Sequence, residues 1–468
     1  MRYQVILFFL IPFFLYSQDN KNFSPIKVSS DTLGIYDDDL LSKEFHSGRR
    51  KAVRALMPKN SMAIFHSGKS KNRSNDVDYE FHQDPDFYYL TGLNEANSML
   101  IMFSHPVGFK GDSIQELLLL KKRNANQETW VGKKLGVDGA ELILGVDKAY
   151  SIDDFGWDSI DYYQFDSIFI HDPQESAQQN LDFFNSDYAM YEFYDINFSE
   201  VKKWMAQLRE IKTDEEMTLM RKTIDITCAA QNELMKVLKP GMKEYQAEAV
   251  VEAVFKINGA EYPGYPSIVG AAENSCILHY TTNRKTMQGN HLLLSDVGAE
   301  YHGYTADVTR TIPVDGVYSK EEKLIYNLVL EAQNKAIEAC RVGNPFYITN
   351  TIATTVISQG LQDLGIIKAP FEIRKYFMHG TSHYLGLDVH DAGTYGEFQP
   401  NTVITVEPGI YIKEGSPCDP KWWNIGVRIE DDILITEGDP ENLSGCIPRE
   451  IDEIEKLMKE EPQIFKDF

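Results

Sequence analysis

The chain has 468 residues, 43% of them hydrophobic, and a formal net charge of −24 at pH 7. That length is enough for two cores and too great for one ordinary domain. So acidic a surface argues against nucleic acid or an anionic membrane as partner, and five cysteines without zinc-knuckle spacing give neither a disulfide framework nor a thiolate metal site.

In chain order, Arg2 precedes an unbroken apolar run from Val5 to Tyr16, then Ser17-Gln18 and polar sequence. Residues 1–17 therefore read as a secretory signal cleaved after Ser17, the run being too short for a comfortable membrane span. The mature protein is expected in the periplasm or outside the cell, with no stable membrane association. Residues 42–200 mix β-rich runs such as Met62 to His66 and Leu117 to Leu120 with helical stretches, which suits an α/β domain; the boundary to a second domain, residues 201–460, falls near Glu200 to Thr213. There Thr213 and Glu216 form a capping box opening a helix to about Leu238, ended by Pro240-Gly241, and a second helix runs from Lys243 to about Asn258. A β-hairpin, His291 to Val314, follows, turning near His302-Gly303. Ser319 and Glu322 open another helix to about Arg341, a fourth runs from about Ile348 to Leu364, and Val403 to Ile412 and Ile425 to Thr436 read as two closing strands. Helix, helix, strand pair, repeated once, is the order a pseudo-twofold shell around a central site requires. Cys418 and Cys446 flank the last strands: either they pair, or all five cysteines are free thiols.

The chemistry sits in this second half. Folding the hairpin about its midpoint sets Asp296 opposite Asp307 to within a residue of register, where facing like charges destabilise a sheet unless a cation lies between them. Glu407 and Glu430 lie inside the apolar closing strands, where an unpaired carboxylate is costly to keep ionised. Met378 to Asp391 (MHGTSHYLGLDVHD) holds His379, His383 and His390, three of the eleven histidines in the chain. Four acids and one imidazole, Asp296, Asp307, His383, Glu407 and Glu430, make an oxygen-rich site suited to Mn²⁺, with Co²⁺, Fe²⁺ and Zn²⁺ as further candidates.

These five positions, their order and their flanking sequences resemble the M24 "pita-bread" metallopeptidases, and within them the aminopeptidase P branch. The resemblance runs from DYEFHQDPDFYYLTGLNE (Asp78 to Glu95) through QLREIKTDEEMTLMR (Gln207 to Arg221) to the final strand, and no departure touches the five positions. It implies a catalytic domain of pita-bread (creatinase/aminopeptidase-like) fold behind the amino-terminal α/β domain, an α/β (α+β) architecture overall. It implies two divalent ions, with Asp296 on one, Asp307 and Glu430 bridging both, and His383 and Glu407 on the other. Such a pair can share a water, lower its pKa and present hydroxide to a peptide carbonyl. Glu407 is then the expected proton shuttle, while His279, in NSCILHY, and His390 stabilise the oxyanion or hold the substrate carbonyl, with His379 beside them. Arg428, two residues before Glu430, either orients a ligand or contacts substrate, or forms a salt bridge to one of the acids.

The substrates implied are peptides with proline in second position, whose tertiary amide lacks the N–H most proteases bind. A dimer or tetramer is expected from the same likeness. A prolidase, limited to Xaa-Pro dipeptides, is the alternative within the class; a non-catalytic peptide-binding member of the fold is the alternative outside it. Methionine aminopeptidases generally lack the first domain.

Overall fold

The computed structural model describes residues 36–171 and 195–463; the apolar run Val5 to Tyr16 and the cleavage expected after Ser17 lie outside them. Among the described residues no helix is long and apolar enough to cross a membrane.

The first domain is built on a six-stranded mixed sheet, in the order Lys148–Ser151, Asp112–Leu120, Met99–Phe109, Ser61–His66, Ser167–His171, Asp195–Asn197. Ser61–His66 lies centrally, antiparallel to Met99–Phe109 and parallel to Ser167–His171, and is buried along its whole length. Its alternate residues serve two layers. Met62 and Ile64 join Ile101, Phe103, Leu117 and Ile168 on one face, whereas Ala63 and Phe65 face the helices. DPDFYYLTG is a short helix, Pro85–Thr91: Asp84 caps it by accepting from the Phe87 amide, Pro85 starts it, and Gly92 ends it at φ 68°.

The helix Glu200–Glu210 leads out of this domain. Its Trp204 packs on Phe169 at 4.7 Å between ring centroids, and its Leu208 carbonyl accepts from the Tyr89 hydroxyl at 2.9 Å. The helical face of the first sheet, this linker and much of the second domain share one continuous apolar cluster, from Phe65 and Tyr89 through Met205 to Met220, Tyr304 and Val427.

The second domain follows the expected order. Both capping boxes close: Thr213 with Glu216 opens Asp214–Val237, and Ser319 with Glu322 opens Lys320–Glu338. Each long helix packs with the next, Glu244–Ile257 and Ile348–Asp363 respectively, and each backs a set of strands. The strands depart from expectation in one respect. Val403 to Ile412 and Ile425 to Thr436 are each two strands, belonging to different sheets: Val403–Val406 pairs with Asp431–Leu434, and Gly409–Ile412 pairs with Ile425–Arg428. The breaks fall at Glu407-Pro408 and Ile429-Glu430. Pro408 has no N–H to continue a ladder, and the chain there changes sheet.

The cysteines also differ from expectation. Cys446 is bonded not to Cys418 but to Cys228, on the helix Asp214–Val237, with the Cα atoms 6.1 Å apart. The partners are 218 residues apart in sequence, so only the fold brings them together. Cys418 is a half-buried free thiol.

Candidate metal centre

The hairpin turn centres on His302 (φ 50°) and Gly303 (φ 83°), pairing Tyr301 with Tyr304. The same register carries down to Leu292–Val297 and Val308–Pro313, so Asp296 lies opposite Thr309 rather than opposite Asp307. The expected pairing is thus off by two residues. An even slip keeps a side chain on its face of the sheet, and the two carboxylates still converge: the Tyr265 hydroxyl bonds to both. Asp307 stands where the strands are pinched, because a Cβ on Gly298 would lie 1.7 Å from the Ala306 carbonyl oxygen. Only glycine permits that approach.

Glu407 and Glu430 sit at the sheet crossovers. The Glu407 amide donates to the Thr381 carbonyl at 2.8 Å and the Glu430 amide to the Thr309 carbonyl at 3.1 Å, so each backbone is tied to a neighbouring segment that carries the site. The Thr309 hydroxyl donates to Glu430 Oε2 at 2.6 Å. His383 is held by its own amide on Thr405 Oγ1 at 3.2 Å, and its Nδ1 lies 3.0 Å from the Tyr384 carbonyl. That contact makes Nδ1 the proton-bearing nitrogen of a neutral ring and leaves Nε2 as donor to a metal. Nε2 is 3.4 Å from Asp307 Oδ2 and 3.8 Å from Glu407 Oε1.

Asp307, His383 and Glu430 bring one ligand atom each within 4.8 Å of one another, all three buried. Glu407 adjoins them through His383, and Asp296 through Tyr265. Burial, reinforced by the Asp296 charge, raises the Asp307 carboxyl above its ordinary range. Burial pushes Glu407 up to about 7, the charges of Asp307 and Asp296 outweighing part of the relief from His383 and Arg428. Glu430 is driven well above the usual carboxylate range by burial and then by Asp307, Glu407 and Asp296. Asp432, its carboxylate 3.3 Å from the Asp307 amide, is raised likewise by burial and Asp307, and its Oδ1 is buried without a hydrogen-bond partner. His383, although burial opposes its charge, is raised to about 9 by Asp307 and Glu407. This is an excess of buried negative charge with an orphaned oxygen, and the donor set of carboxylates and imidazole fits divalent cations.

The surrounding groups form one network. Arg428, 3% exposed, bonds Asp296 through Nη2, the Tyr411 hydroxyl through Nη1 at 2.9 Å and Thr309 Oγ1 through Nε at 3.1 Å. Of the alternatives for Arg428, the geometry matches the salt bridge to a site acid, with all three nitrogens engaged inside the protein. Tyr411 reaches on to His379 Nε2 at 2.8 Å, and His379 Nδ1 is 3.5 Å from Glu407. Burial, then the Arg428 charge, lowers His379 to about 4, so it stands neutral. His390 stacks on His383 with centroids 4.1 Å apart and planes 8° from parallel. His279 is exposed, and its charge bears on both His379 and His390. Tyr265, Thr309, Tyr411 and Asp432 escaped the sequence reading. Asp432 carried a signal, as the third acid of Glu430-Asp431-Asp432, whereas Tyr265 in YPGYPS carried none.

Comparison with known proteins bears on both halves of the chain. A family model described as metallopeptidase family M24 matches residues 218–437, and one described as aminopeptidase P, N-terminal domain, matches residues 46–159. The Xaa-Pro aminopeptidase of Haemophilus influenzae is 38% identical over 434 residues, covering 89% of this chain and 98% of that one. Aminopeptidase P from Escherichia coli with the inhibitor Pro-Leu superposes with a TM-score of 0.82 at 33% identity, over 90% of this chain and 98% of that one. A zinc-substituted form of the E. coli enzyme in complex with product superposes at 0.81, with 34% identity and the same coverage. With matches that span both domains and nearly the whole length of these relatives, this chain belongs to metallopeptidase family M24 and is a hydrolase.

Proposed function

We propose that this chain is an exported, metal-dependent Xaa-Pro aminopeptidase that removes an N-terminal residue from peptides with proline in second position. The observation that carries the reading is the buried convergence of Asp307, His383 and Glu430, beside Glu407 and Asp296, in a chain that matches Xaa-Pro aminopeptidases almost end to end. In this reading Asp296, Asp307, His383, Glu407 and Glu430 would hold two divalent ions, with Mn²⁺ as the first candidate. When bound, the ions supply an acidified water as nucleophile and polarise the peptide carbonyl.

The protein's own groups do the rest. Glu407, its carboxyl raised to about 7, is poised to accept and return a proton near neutrality. His390, stacked against His383, and the exposed His279 supply hydrogen bonds to the carbonyl oxygen as charge develops there. Arg428, Tyr411 and His379 hold Asp296 and Glu407 in place.

The reading is tested by hydrolysis with Mn²⁺, monitored by mass. Loss of arginine from Arg-Pro-Pro peptides, abolished by a chelator, is expected. Cleavage of Gly-Pro alone would make the enzyme a prolidase, and cleavage of neither would leave a peptide-binding protein.

Export is part of the proposal, resting on the apolar run Val5 to Tyr16 and on the Cys228–Cys446 bond, which an oxidising compartment sustains. Thiol titration of the denatured, unreduced protein from the extracytoplasmic fraction is expected to find three thiols per chain. A finding of all five would contradict the bridge.

A further inference from the structure

The loop that carries His390 is held from behind by the segment joining the two domains. Asp391, 3% exposed, accepts Lys212 Nζ on Oδ2 at 2.8 Å and the Arg209 guanidinium on Oδ1. Its own amide donates to the Tyr384 carbonyl at 3.0 Å. The loop wraps the carboxylate so closely that a Cβ on Gly386 would lie 2.1 Å from Asp391 Oδ2. Arg209 is itself buried and donates through Nη1 to Asp86 Oδ1 at 2.6 Å. Asp86 belongs to the helix Pro85–Thr91 of the first domain and lies 3.5 Å from His171 Nδ1 on that domain's sheet. Lys212 Nζ in turn donates to the Arg209 carbonyl at 2.7 Å. A continuous line therefore runs from the first sheet through Asp86, Arg209 and Asp391 to the backbone of His390.

Stability alone accounts poorly for this arrangement, because desolvating such ions offsets most of their attraction, and apolar side chains fill such spaces at least as well. What a planar guanidinium shared between two carboxylates adds is direction. We propose that Arg209 is a positioning residue: by tying Asp391 to Asp86 it fixes the loop that sets the His390 ring flat against His383, making the first domain part of the catalytic apparatus. The catalytic consequence rests on the reading of the enzyme as an Xaa-Pro aminopeptidase; the placement of His390 does not.

Arg209→Gln tests it, since Asp391 keeps Lys212 and Asp86 keeps His171 in this variant. Placement is read by NMR of the imidazole Cε1–H groups in the Zn²⁺-loaded protein, Zn²⁺ being diamagnetic, with the His390 signal assigned by its loss in His390→Ala. In the wild type that signal is shifted by the ring current of His383; in Arg209→Gln it moves towards the position of an unstacked ring, and Arg209→Lys moves it less. Catalysis is read by a double-mutant cycle on the Arg-Pro-Pro peptide. Arg209→Gln is expected to lower kcat about 10- to 100-fold with bound metal retained, and to cost less than about 2-fold in a His390→Ala background. An unmoved His390 signal, or the same loss in both backgrounds, overturns the proposal. Should Arg209→Gln fail to fold, Asp86→Asn removes only the outer anchor, and the same two readouts decide. A wild type inactive on Xaa-Pro peptides would remove the functional reading and still leave the NMR comparison to decide the placement.

Discussion

His383→Ala is expected to lose peptide turnover and metal together. Its Nε2 lies between Asp307 and Glu407, and alanine leaves those buried carboxylates without the one neutral donor that faces them both. Loss of a ligand exceeds the roughly 10–100-fold penalty that follows loss of an outer partner, so activity should fall below detection, and elemental analysis of the purified variant should find less than the wild-type metal content. Glu407→Ala should behave alike. His390→Ala sets the contrast, because its ring only stacks on His383: both ions should remain while the rate falls about 10²- to 10³-fold. Unchanged metal content in His383→Ala would mean that the ligand assignment is wrong.

Removing the ions should destabilise the protein more as pH rises. In the metal-free protein Glu407 titrates near 7 when folded, above its ordinary value of 4.5. Between those values the folded state binds more protons than the unfolded one, so stability falls as pH rises through that window. His383 adds to this with the same sign. Raised from 6.5 to about 9, it contributes stability that is fully present below 6.5 and lost as pH rises through the folded value. Asp307, raised by burial and the Asp296 charge, and Glu430, raised by burial and the Asp307 charge, act in the direction of Glu407. Bound cations replace those protons and remove the repulsion. The difference in Tm between metal-loaded and chelated protein should therefore widen from pH 5 to pH 9. A difference that stays constant or narrows would show that the carboxylates are not the groups the metal neutralises.

What could be read from the sequence was local chemistry. The helices opened by Thr213 with Glu216 and by Ser319 with Glu322 were legible because a capping box is complete within four residues. The five candidate ligands were legible because carboxylates inside apolar strands need a cationic partner and because His383 falls in a histidine cluster between them. The strand breaks at Glu407-Pro408 and Ile429-Glu430 were hidden by hydrophobicity that continues across them, although Pro408 was a signal against an unbroken ladder. The turn at His302-Gly303 was legible, and the strands pair about it so that Asp296 faces Thr309, two residues beyond Asp307. Nothing local announces the Cys228–Cys446 bond, the Tyr265 bridge or the Arg209–Asp391 tie, whose partners are separated by 218, 31 and 42, and 182 residues. Such contacts exist only once the chain has folded.

The most direct test of the metal-centre account is a titration of the chelated protein with Mn²⁺, following release of arginine from the Arg-Pro-Pro peptide. The account predicts no turnover at zero metal and a rate that rises to a plateau at about two ions per chain. Turnover that persists under chelation, or that never appears at any metal concentration, would contradict it.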